Sequence, residues 1–254
     1  MDNLEKKIVF IFGCQRSGTS ITSALLSRLK NVKSYPETNN PLTDLDTSEP
    51  HHTIRLNPLE DVKRKIDSNQ EKYVVAKPLV ESQHARKILD YFPDSKAIWL
   101  YRDYQDVVSS MINKWGEENG IPHLKPIIAA NQTNWRSELL PPEVQSKILS
   151  IYKNGINGAD AWGLFWYARN SLLFSQELQK DRRVVILKYQ DLVSSSEYIV
   201  KAFDELMIGD IDIRSVWDYK TSSIGKGKNV NFSTNVKVSL NSMMDKLNSY
   251  SLKI

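Results

Sequence analysis

The chain has 254 residues, of which 41% are hydrophobic and 25% charged, as is ordinary for a soluble globular protein. Its net charge of +4 is too small a basic excess to indicate nucleic-acid binding, although it suits a small polyanionic ligand. The single cysteine, Cys14, excludes an internal disulfide and favours a reducing compartment, so we predict a cytoplasmic protein. No run approaches the roughly 18 apolar residues of a membrane helix, and the N-terminal segment lacks the cleavage site of a signal peptide.

Strand and helix patterns alternate along the chain. Short, mostly apolar runs predict strands at Ile8–Phe12, Asn31–Tyr35, Tyr73–Ala76, Ala97–Tyr101 and Arg183–Leu187. Helical periodicity predicts helices at Ile21–Leu29, Glu81–Phe92, Asp106–Trp115 and Gly158–Gln179. Such alternation predicts an α/β fold in which a parallel sheet carries helices on both faces.

Two regions interrupt the alternation of strands and helices. Pro36–Pro58 is polar and carries four prolines, so we predict a long loop. Gly116–Gly158 holds four prolines among helical pieces and is predicted to be a mostly helical insertion. Neither region has the character of a domain boundary, and we predict a single domain over residues 1–254.

The segment "VFIFGCQRSGTS", from Val9 to Ser20, ends the first predicted strand in a glycine-containing turn. Such a turn directs backbone N–H groups at an anion, and the helix that follows adds the positive end of its dipole. Arg16 supplies charged donors, and hydroxyl groups come from Ser17, Thr19 and Ser20. We therefore predict that this loop binds a phosphate group; the alternative is a strand–turn–helix connection without a ligand.

The loop departs from two well-known phosphate loops. Thr19 occupies the place of the lysine with which ATP- and GTP-using loops contact the terminal phosphates, which argues against a magnesium–nucleotide triphosphatase. A phosphatase loop needs an arginine six positions after its cysteine, but the residue at that distance from Cys14 is Ser20. Neither chemistry fits the residues.

A second candidate anion site follows the strand Ala97–Tyr101. Arg102 stands at the end of this strand, and Ser110 lies eight residues further on, in the next predicted helix. Ligands of open α/β sheets bind at the carboxyl edge of the strands, so this pair is predicted to hold a second anion there. The alternative is a surface ion pair of Arg102 with Asp103 or Asp106.

Together these stretches resemble the sulfotransferases that use 3′-phosphoadenosine 5′-phosphosulfate (PAPS). The family's loop of Arg or Lys, Ser or Thr, Gly, and two further Ser or Thr is matched by "RSGTS", from Arg16 to Ser20. Its later R-D-x-x-D-V-x-x-S element is matched from Arg102 to Ser110. The segment Val184–Ser195 is similar to the strand-borne "RYEDL" of the family, with Tyr189 in register, and Ser222–Lys228 to its basic glycine-containing loop.

The resemblance implies a P-loop-type sheet and a role for each matching residue. PAPS is the implied co-substrate, with no metal. The implied PAPS-binding residues are Arg16, Ser17, Gly18, Thr19 and Ser20 for the 5′-phosphosulfate, Arg102 and Ser110 for the 3′-phosphate, and Tyr189, Lys226, Gly227 and Lys228. Some members stack adenine on a tryptophan where this chain has Ile21, so the aromatic face is open among Trp162, Trp166 and Tyr189.

The implied catalytic residues are Arg16, which neutralises charge on the leaving phosphate, Lys77 near the sulfuryl group, and a general base. Many members carry a histidine base two residues after the lysine, where this chain has Leu79. Members that act on carbohydrates use a glutamate after the second strand, which favours Glu37 as the base. The alternatives for the base are His51, His52 and Glu81.

The predicted function is therefore transfer of a sulfuryl group from PAPS to a hydroxyl group of a small molecule or glycan. Acceptor recognition is predicted to fall to Pro36–Pro58 and to residues 116–158, the second acting as a lid. We expect no nucleic-acid partner beyond the nucleotide co-substrate and no membrane association, and we make no prediction of oligomeric state. The alternatives are an ATP-dependent small-molecule kinase on the same architecture and a PAP-binding module without catalysis, PAP being the desulfated product.

Overall fold

The computed structural model describes residues 6–46, 53–206, 208 and 212–254. Its seven strands, in chain order, are β1 (Lys7–Gly13), β2 (Val32–Tyr35), β3 (Thr43–Asp46), β4 (Thr53–Leu56), β5 (Tyr73–Ala76), β6 (Lys96–Tyr101) and β7 (Val184–Lys188). Five of them form a parallel sheet in the order β2-β5-β1-β6-β7, which places β1 at its centre. The loops that follow β1, β5 and β6 therefore meet at one edge of the sheet.

Ten α-helices accompany the strands in the described ranges. They are α1 (Thr19–Leu26), α2 (Leu59–Asp67), α3 (Ala85–Tyr91), α4 (Tyr104–Trp115), α5 (Gly120–Ile128), α6 (Pro142–Tyr152), α7 (Gly158–Ser175), α8 (Tyr189–Ser194), α9 (Glu197–Glu205) and α10 (Thr234–Tyr250). None of the helices in the described part of the chain has the length and apolarity that crossing a bilayer demands.

The sheet is buried on both faces because side chains alternate across each strand. In β1, Phe10 and Phe12 pack on the side of α3, α4 and α7, whereas Val9 and Ile11 pack on the side of α1 and α9. Burial on both faces requires an apolar residue at every position of the strand. The predicted α/β fold with helices on both faces is confirmed.

The prediction of a long loop over Pro36–Pro58 is wrong in part, because β3 and β4 lie within it as an antiparallel pair. Asn40 organises the approach to β3: its side-chain oxygen accepts the N–H of Leu42, and its amide group donates to Thr43 Oγ1 at 2.9 Å. Leu42 is buried in the core at the start of the pair. The strands are only four residues long, and β3 has a single apolar residue, so the sequence signal for a strand pair is weak.

Two predicted helices are divided in the structure. The segment before α3, Leu79–His84, is a 3₁₀ helix and not part of one α-helix from Glu81. The backbone N–H of Glu81 donates to the carbonyl of Pro78 at 3.0 Å, and the hydroxyl of Ser82 donates to the carbonyl of Leu79 at 2.8 Å. The helix predicted to Gln179 ends at Ser175, and Glu177, with φ of 52°, separates α7 from a short 3₁₀ turn.

Residues 116–158 contain α5 and α6, as the predicted helical insertion requires. Both helices pack against α7, and their apolar residues Leu124, Ile127, Val144 and Ile148 are buried in the main core. The loop between the two helices reaches the antiparallel pair of β3 and β4, called the hairpin below, where Glu138 pairs with Arg55 of β4 at 3.1 Å. The insertion and the hairpin are thereby joined beside the carboxyl edge of the sheet.

Candidate functional site

The loop between β1 and α1 has the backbone shape of an anion site. Arg16 and Gly18 are both left-handed, with φ of 67° and 92°. No side chain caps α1 at Gly18, so the first backbone N–H groups of this helix are available to an anion. Ser17 is fully buried, and its hydroxyl has no hydrogen-bond partner among the described residues. An unsatisfied buried hydroxyl of this kind fits a ligand oxygen.

The two predicted anion-binding elements meet in space. Arg16 Nε donates to Ser110 Oγ at 3.0 Å, and Arg102 Nη1 donates to the backbone carbonyl of Arg16 at 3.3 Å. These contacts join the loop after β1 to the start of α4 after β6, two neighbouring strands of the sheet. Parallel strands end at the same edge, which is why residues so far apart in sequence converge.

A cavity of about 360 Å³ opens where these residues meet. Its lining is rich in cations and hydroxyl groups: Arg16, Arg102, Asp106, Ser109, Ser110, Asn113, Lys114, Ser223 and Lys226. Asp106 is the one carboxylate among these lining residues. In the described ranges, no three His, Cys, Asp or Glu side chains come together as a metal site requires. The donor set is that of an anion site.

The electrostatics of the cavity favour a bound anion. Burial lowers the pKa of Arg16, and the positive charge of Arg102 lowers it further. Arg102 is 7% exposed, and its Nε has no hydrogen-bond partner among the described residues. The nearest carboxylate to Arg102 is that of Asp106, at 3.7 Å. Two cations that repel each other around one cavity are stabilised by an anion between them.

The C-terminal segment Ser223–Gly227 is docked on the first turn of α4. Asp106 accepts the backbone N–H groups of Gly225 and Gly227, each at 3.0 Å. Arg102 donates to the carbonyl of Ser223. A Cβ at Gly227 would lie 2.1 Å from the carbonyl oxygen of Gln105, so a larger residue would push the segment off the helix. Of the predicted basic residues, Lys226 lines the cavity.

Lys228 is exposed, and it is not among the residues that line the cavity. Its Cε lies 3.4 Å from the position that a Cβ on Gly225 would occupy. The structure therefore places Lys226 in the cavity lining, Gly227 against the first turn of α4 through its bond to Asp106, and Lys228 at the margin of the site.

Tyr189 connects the loop between β1 and α1 with the C-terminal segment. Its hydroxyl is 3.1 Å from Ser223 Oγ, and the guanidinium of Arg102 lies 5.0 Å from the ring centroid. A Cβ at Gly18 would come within 2.1 Å of the ring, so the loop requires glycine there. The alternatives for an adenine-stacking face, Trp162 and Trp166, are fully buried in the core and offer no face to a ligand.

Lys77 and Glu37 form a second cluster next to the loop. Lys77 Nζ lies 3.5 Å from one carboxylate oxygen of Glu37, and it donates to Ser20 Oγ at 3.3 Å. The other oxygen of Glu37 accepts the backbone N–H of Val80 at 3.2 Å. Lys77 is 6% exposed, whereas the Glu37 side chain is 19% exposed. A partly solvated carboxylate beside a buried lysine therefore stands at the end of the phosphate loop.

The alternatives for a general base are less well placed. One oxygen of Glu81 accepts from Arg55 Nε at 2.7 Å and from the N–H of Leu56 at 3.2 Å, which leaves this carboxylate bound to the hairpin. His51 and His52 lie outside the described residues. Leu79, at the position where the resemblance would place a histidine base, is buried.

Sequence reasoning missed one residue of the site and the structural role of another. The sequence predicts Asp106 as part of the matched element and as a possible ion-pair partner of Arg102, but its two bonds to the C-terminal segment join residues more than a hundred positions apart. Arg169 is fully buried in α7 and donates to the carbonyl of Leu79 at 2.9 Å. A signal for it existed, since an arginine stands inside the otherwise apolar helix sequence "WGLFWYARNSLL".

Comparison with known proteins gives a consistent result. A family model described as "Sulfotransferase domain" matches residues 6–211. Among solved structures, the sulfotransferase domain from the curacin biosynthetic pathway is 15% identical, with a TM-score of 0.57 over 98% of this chain and 99% of that one. A sulfotransferase from Alicyclobacillus acidocaldarius is 12% identical, with a TM-score of 0.52 over 96% and 94%. Likeness at these identities shows a shared fold. No curated protein matches the sequence.

Proposed function

Because the chain belongs to the sulfotransferase family, we propose that it moves a sulfuryl group from PAPS to a hydroxyl group of a carbohydrate or another small hydroxylated molecule. The observation that carries the proposal is the convergence of Arg16, Arg102 and Ser110 on one cationic cavity. PAPS has anionic groups at both the 3′ and the 5′ positions of its ribose. Two adjoining anion sites suit a ligand with two separated anionic groups.

The residues around the cavity fit PAPS. The unpartnered hydroxyl of Ser17 and the uncapped start of α1 are suited to the 5′-phosphosulfate, together with Gly18, Thr19 and Ser20. Arg102 and Ser110 would hold the 3′-phosphate, with Lys226 and the Gly227 backbone covering it. Tyr189, whose ring packs against Gly18, would contact the nucleotide, and Lys228 would add positive charge at the margin of the cavity.

Sulfuryl transfer demands positioning and charge stabilisation from the protein. When bound, PAPS supplies a sulfuryl group on a phosphate leaving group, and PAP remains after transfer. Arg16 stabilises the negative charge that grows on the departing phosphate oxygen. Lys77 stabilises the negative charge on the sulfuryl oxygens. Glu37 removes the proton of the acceptor hydroxyl, and Lys77, 3.5 Å away, orients the Glu37 carboxylate.

The acceptor would approach Glu37 from the side of the hairpin and the helical insertion. Arg55 of β4 contacts both Glu81 and Glu138, so the hairpin, the 3₁₀ segment and residues 116–158 share one polar junction. We propose that this region covers the acceptor as a lid within a single domain. A carboxylate base suits a hydroxyl acceptor, and favours sugars and similar small molecules.

Isothermal titration calorimetry tests the co-substrate. We expect PAP to bind without Mg²⁺, and more tightly than adenosine 5′-monophosphate, which lacks the 3′-phosphate. The Arg102→Ala variant should lose most of this preference, whereas Arg16→Ala should weaken both ligands. Binding of ATP with Mg²⁺ but not of PAP would overturn the proposal in favour of the small-molecule kinase.

A transfer assay separates the enzyme from a PAP-binding module without catalysis. Radiolabelled PAPS is incubated with a panel of hydroxylated sugars and small alcohols, and the sulfated products are separated and counted. We expect transfer to at least one acceptor, and a loss of about 100-fold or more in kcat in Glu37→Gln, as is usual when a general base is removed. PAP binding without any transfer would favour the non-catalytic module.

A further inference from the structure

Arg169 is a buried cation in the middle of α7 whose bonded partners are all neutral. Its side chain is 0% exposed. It donates to the carbonyl oxygens of Leu79 and Trp135, at 2.9 and 3.3 Å, and to Gln83 Oε1 at 3.2 Å. Burying a charge without a directly bonded counter-charge is costly. An apolar residue of similar length would avoid this cost, so the arginine calls for an explanation other than packing.

One of these bonds leads directly to the proposed base. The carbonyl of Leu79 and the N–H of Val80 belong to the same peptide group. Arg169 donates to the oxygen of this group at 2.9 Å, and its N–H donates to Glu37 Oε1 at 3.2 Å. A peptide whose oxygen is bound to a cation is polarised, and its N–H becomes a stronger donor. Arg169 and Glu37 are therefore connected through a single peptide.

The surrounding charges agree with this connection. Lys77, at the end of β5, faces the other oxygen of Glu37. Burial lowers the pKa of Arg169 to about 10, against the raising effects of Cys14, Glu37 and Glu81, while the charge of Arg136 also lowers it. Arg169 thus stays protonated at neutral pH, and its charge interacts with that of Glu37 across the intervening peptide.

We propose that Arg169 is a positioning residue for Glu37: through the Leu79–Val80 peptide it fixes the carboxylate and favours its ionised form. The inference rests on the proposed function, because Glu37 matters for catalysis only as its base. Arg169 orients Glu37 indirectly, through the 3₁₀ segment, whereas Lys77 contacts the Glu37 carboxylate directly. Arg169 itself is 0% exposed and is therefore inaccessible to both substrates.

The direct test is a carboxyl-carbon NMR titration of the protein labelled with ¹³C-glutamate, without co-substrate or acceptor. The Glu37 signal is assigned by its disappearance in Glu37→Gln. In Arg169→Met we expect its titration midpoint to move to higher pH by about one unit, since a cation that favours the ionised form is lost. Arg169→Lys should restore part of the difference. An unchanged midpoint in Arg169→Met would overturn the inference.

Two further variants separate this effect from loss of stability. Gln83→Leu removes another partner of Arg169 but leaves the Leu79–Val80 peptide intact, so it should lower stability without moving the midpoint. Val80→Pro removes the N–H that reaches Glu37 and should move the midpoint even where Arg169→Met does not fold. A shift in Gln83→Leu as large as in Arg169→Met would also overturn the inference, because a general loosening would then explain both.

The transfer assay keeps this inference distinct from the proposed function. If Glu37→Gln loses turnover and Arg169→Met moves the acid limb of the kcat profile upward, with the KM for PAPS unchanged, both stand. If Glu37→Gln loses turnover but neither Arg169→Met nor Val80→Pro moves the Glu37 signal or the acid limb, the role of Arg169 is refuted and the proposed function survives. If Glu37→Gln keeps its turnover, the assignment of the base fails, and with it the catalytic role of Arg169.

Discussion

Arg16 Nε lies 3.0 Å from Ser110 Oγ and donates to it, although the two residues are 94 positions apart. This bond holds the loop between β1 and α1 against α4, and it orients the Arg16 guanidinium, which also lies 5.9 Å from the ring centroid of Trp115. Arg16 and Ser110 both line the cationic cavity. The contact is thus a direct link between the two candidate anion sites.

We expect Ser110→Ala to weaken PAP binding by at least about tenfold, since a hydrogen bond to a charged group contributes roughly 1.5–3 kcal/mol and about 1.4 kcal/mol corresponds to a factor of ten. Two bonds are lost, the one to Arg16 and the one proposed to the 3′-phosphate. Calorimetric titration measures the effect. Ser150→Ala, an exposed serine within α6, is the matched control and should bind PAP as the wild type does. Equal affinities of Ser110→Ala and the wild type would show that Ser110 lies outside the binding site.

The close approach of Gly18 to Tyr189 gives a second prediction. Gly18 has φ of 92°, and a Cβ there would meet the Tyr189 ring at 2.1 Å. Gly155 has a similar φ of 82°, but no atom of the described residues lies within 4 Å of its Cβ position. Both alanine variants carry the strain of a left-handed residue, roughly 1–2 kcal/mol; Gly18→Ala also displaces the loop or the ring.

We therefore expect Gly18→Ala to lower the melting temperature more than Gly155→Ala and to abolish measurable PAP binding. Gly155→Ala should lower stability modestly and leave binding intact. Differential scanning calorimetry and PAP titration measure the two effects. Similar losses in both variants would mean that backbone strain, and not the contact with Tyr189, makes Gly18 necessary.

Asp106 is expected to control the C-terminal segment. Asp106→Asn keeps one acceptor oxygen, but it places an NH₂ group opposite a backbone N–H and removes the negative charge beside Arg102. Amide hydrogen exchange at Gly225 and Gly227 should become faster, and PAP should bind more weakly as Lys226 loses its placement. Exchange is followed by NMR.

Asp103→Asn is the control for Asp106→Asn. Asp103 is the N-cap of the same helix and accepts the N–H of Gln105 at 2.9 Å, a role that asparagine also fulfils. It should leave the exchange of Gly225 and Gly227 unchanged. If Asp106→Asn behaves in the same way, the segment is held by its other contacts, to Arg102, Ser109 and Tyr189.

The parts of the fold that could be predicted are those with a local signal. β5, "YVVA", has the predicted bounds because a strand buried on both faces must be apolar throughout. β3 and β4 were missed because they are short, polar and paired only with each other. Their formation depends on contacts such as that of Arg55 with Glu81 and Glu138, which join segments distant in sequence.

The candidate site also has one group of residues with a local sequence signal and another group without one. Arg16, Arg102 and Ser110 follow strand ends in a recognisable order, so their convergence could be predicted from the topology of a parallel sheet. Two bonds depend on the 3₁₀ segment, whose geometry no sequence pattern predicts. They run from Val80 to Glu37 and from Arg169 to Leu79. The arginine inside the mostly apolar sequence of α7 predicts a buried cation, but no sequence pattern predicts which backbone group it binds.

The junction between the hairpin and the insertion gives a prediction about pH. Burial alone would raise the pKa of Glu138, but hydrogen bonds from His84 and Gln83, with the charges of His84 and Arg55, lower it to about 2. An unfolded glutamate titrates near about 4.3. Because the folded state holds the ionised form more strongly, Glu138 contributes stability above about pH 4.3, and this contribution is lost as the pH falls towards 2.

We expect Glu138→Gln to lower the free energy of unfolding at pH 7, and this deficit to shrink as the pH falls from about 4.3 towards 2, where the wild-type carboxylate itself becomes protonated. Urea unfolding at pH 7, 5 and 3 measures the difference. Glu177→Gln is the control, because Glu177 pairs with Lys180 at the surface and should contribute little at any pH. A deficit that stays constant over this range would mean that Glu138 stabilises the junction by shape and neutral hydrogen bonds, and not by its charge.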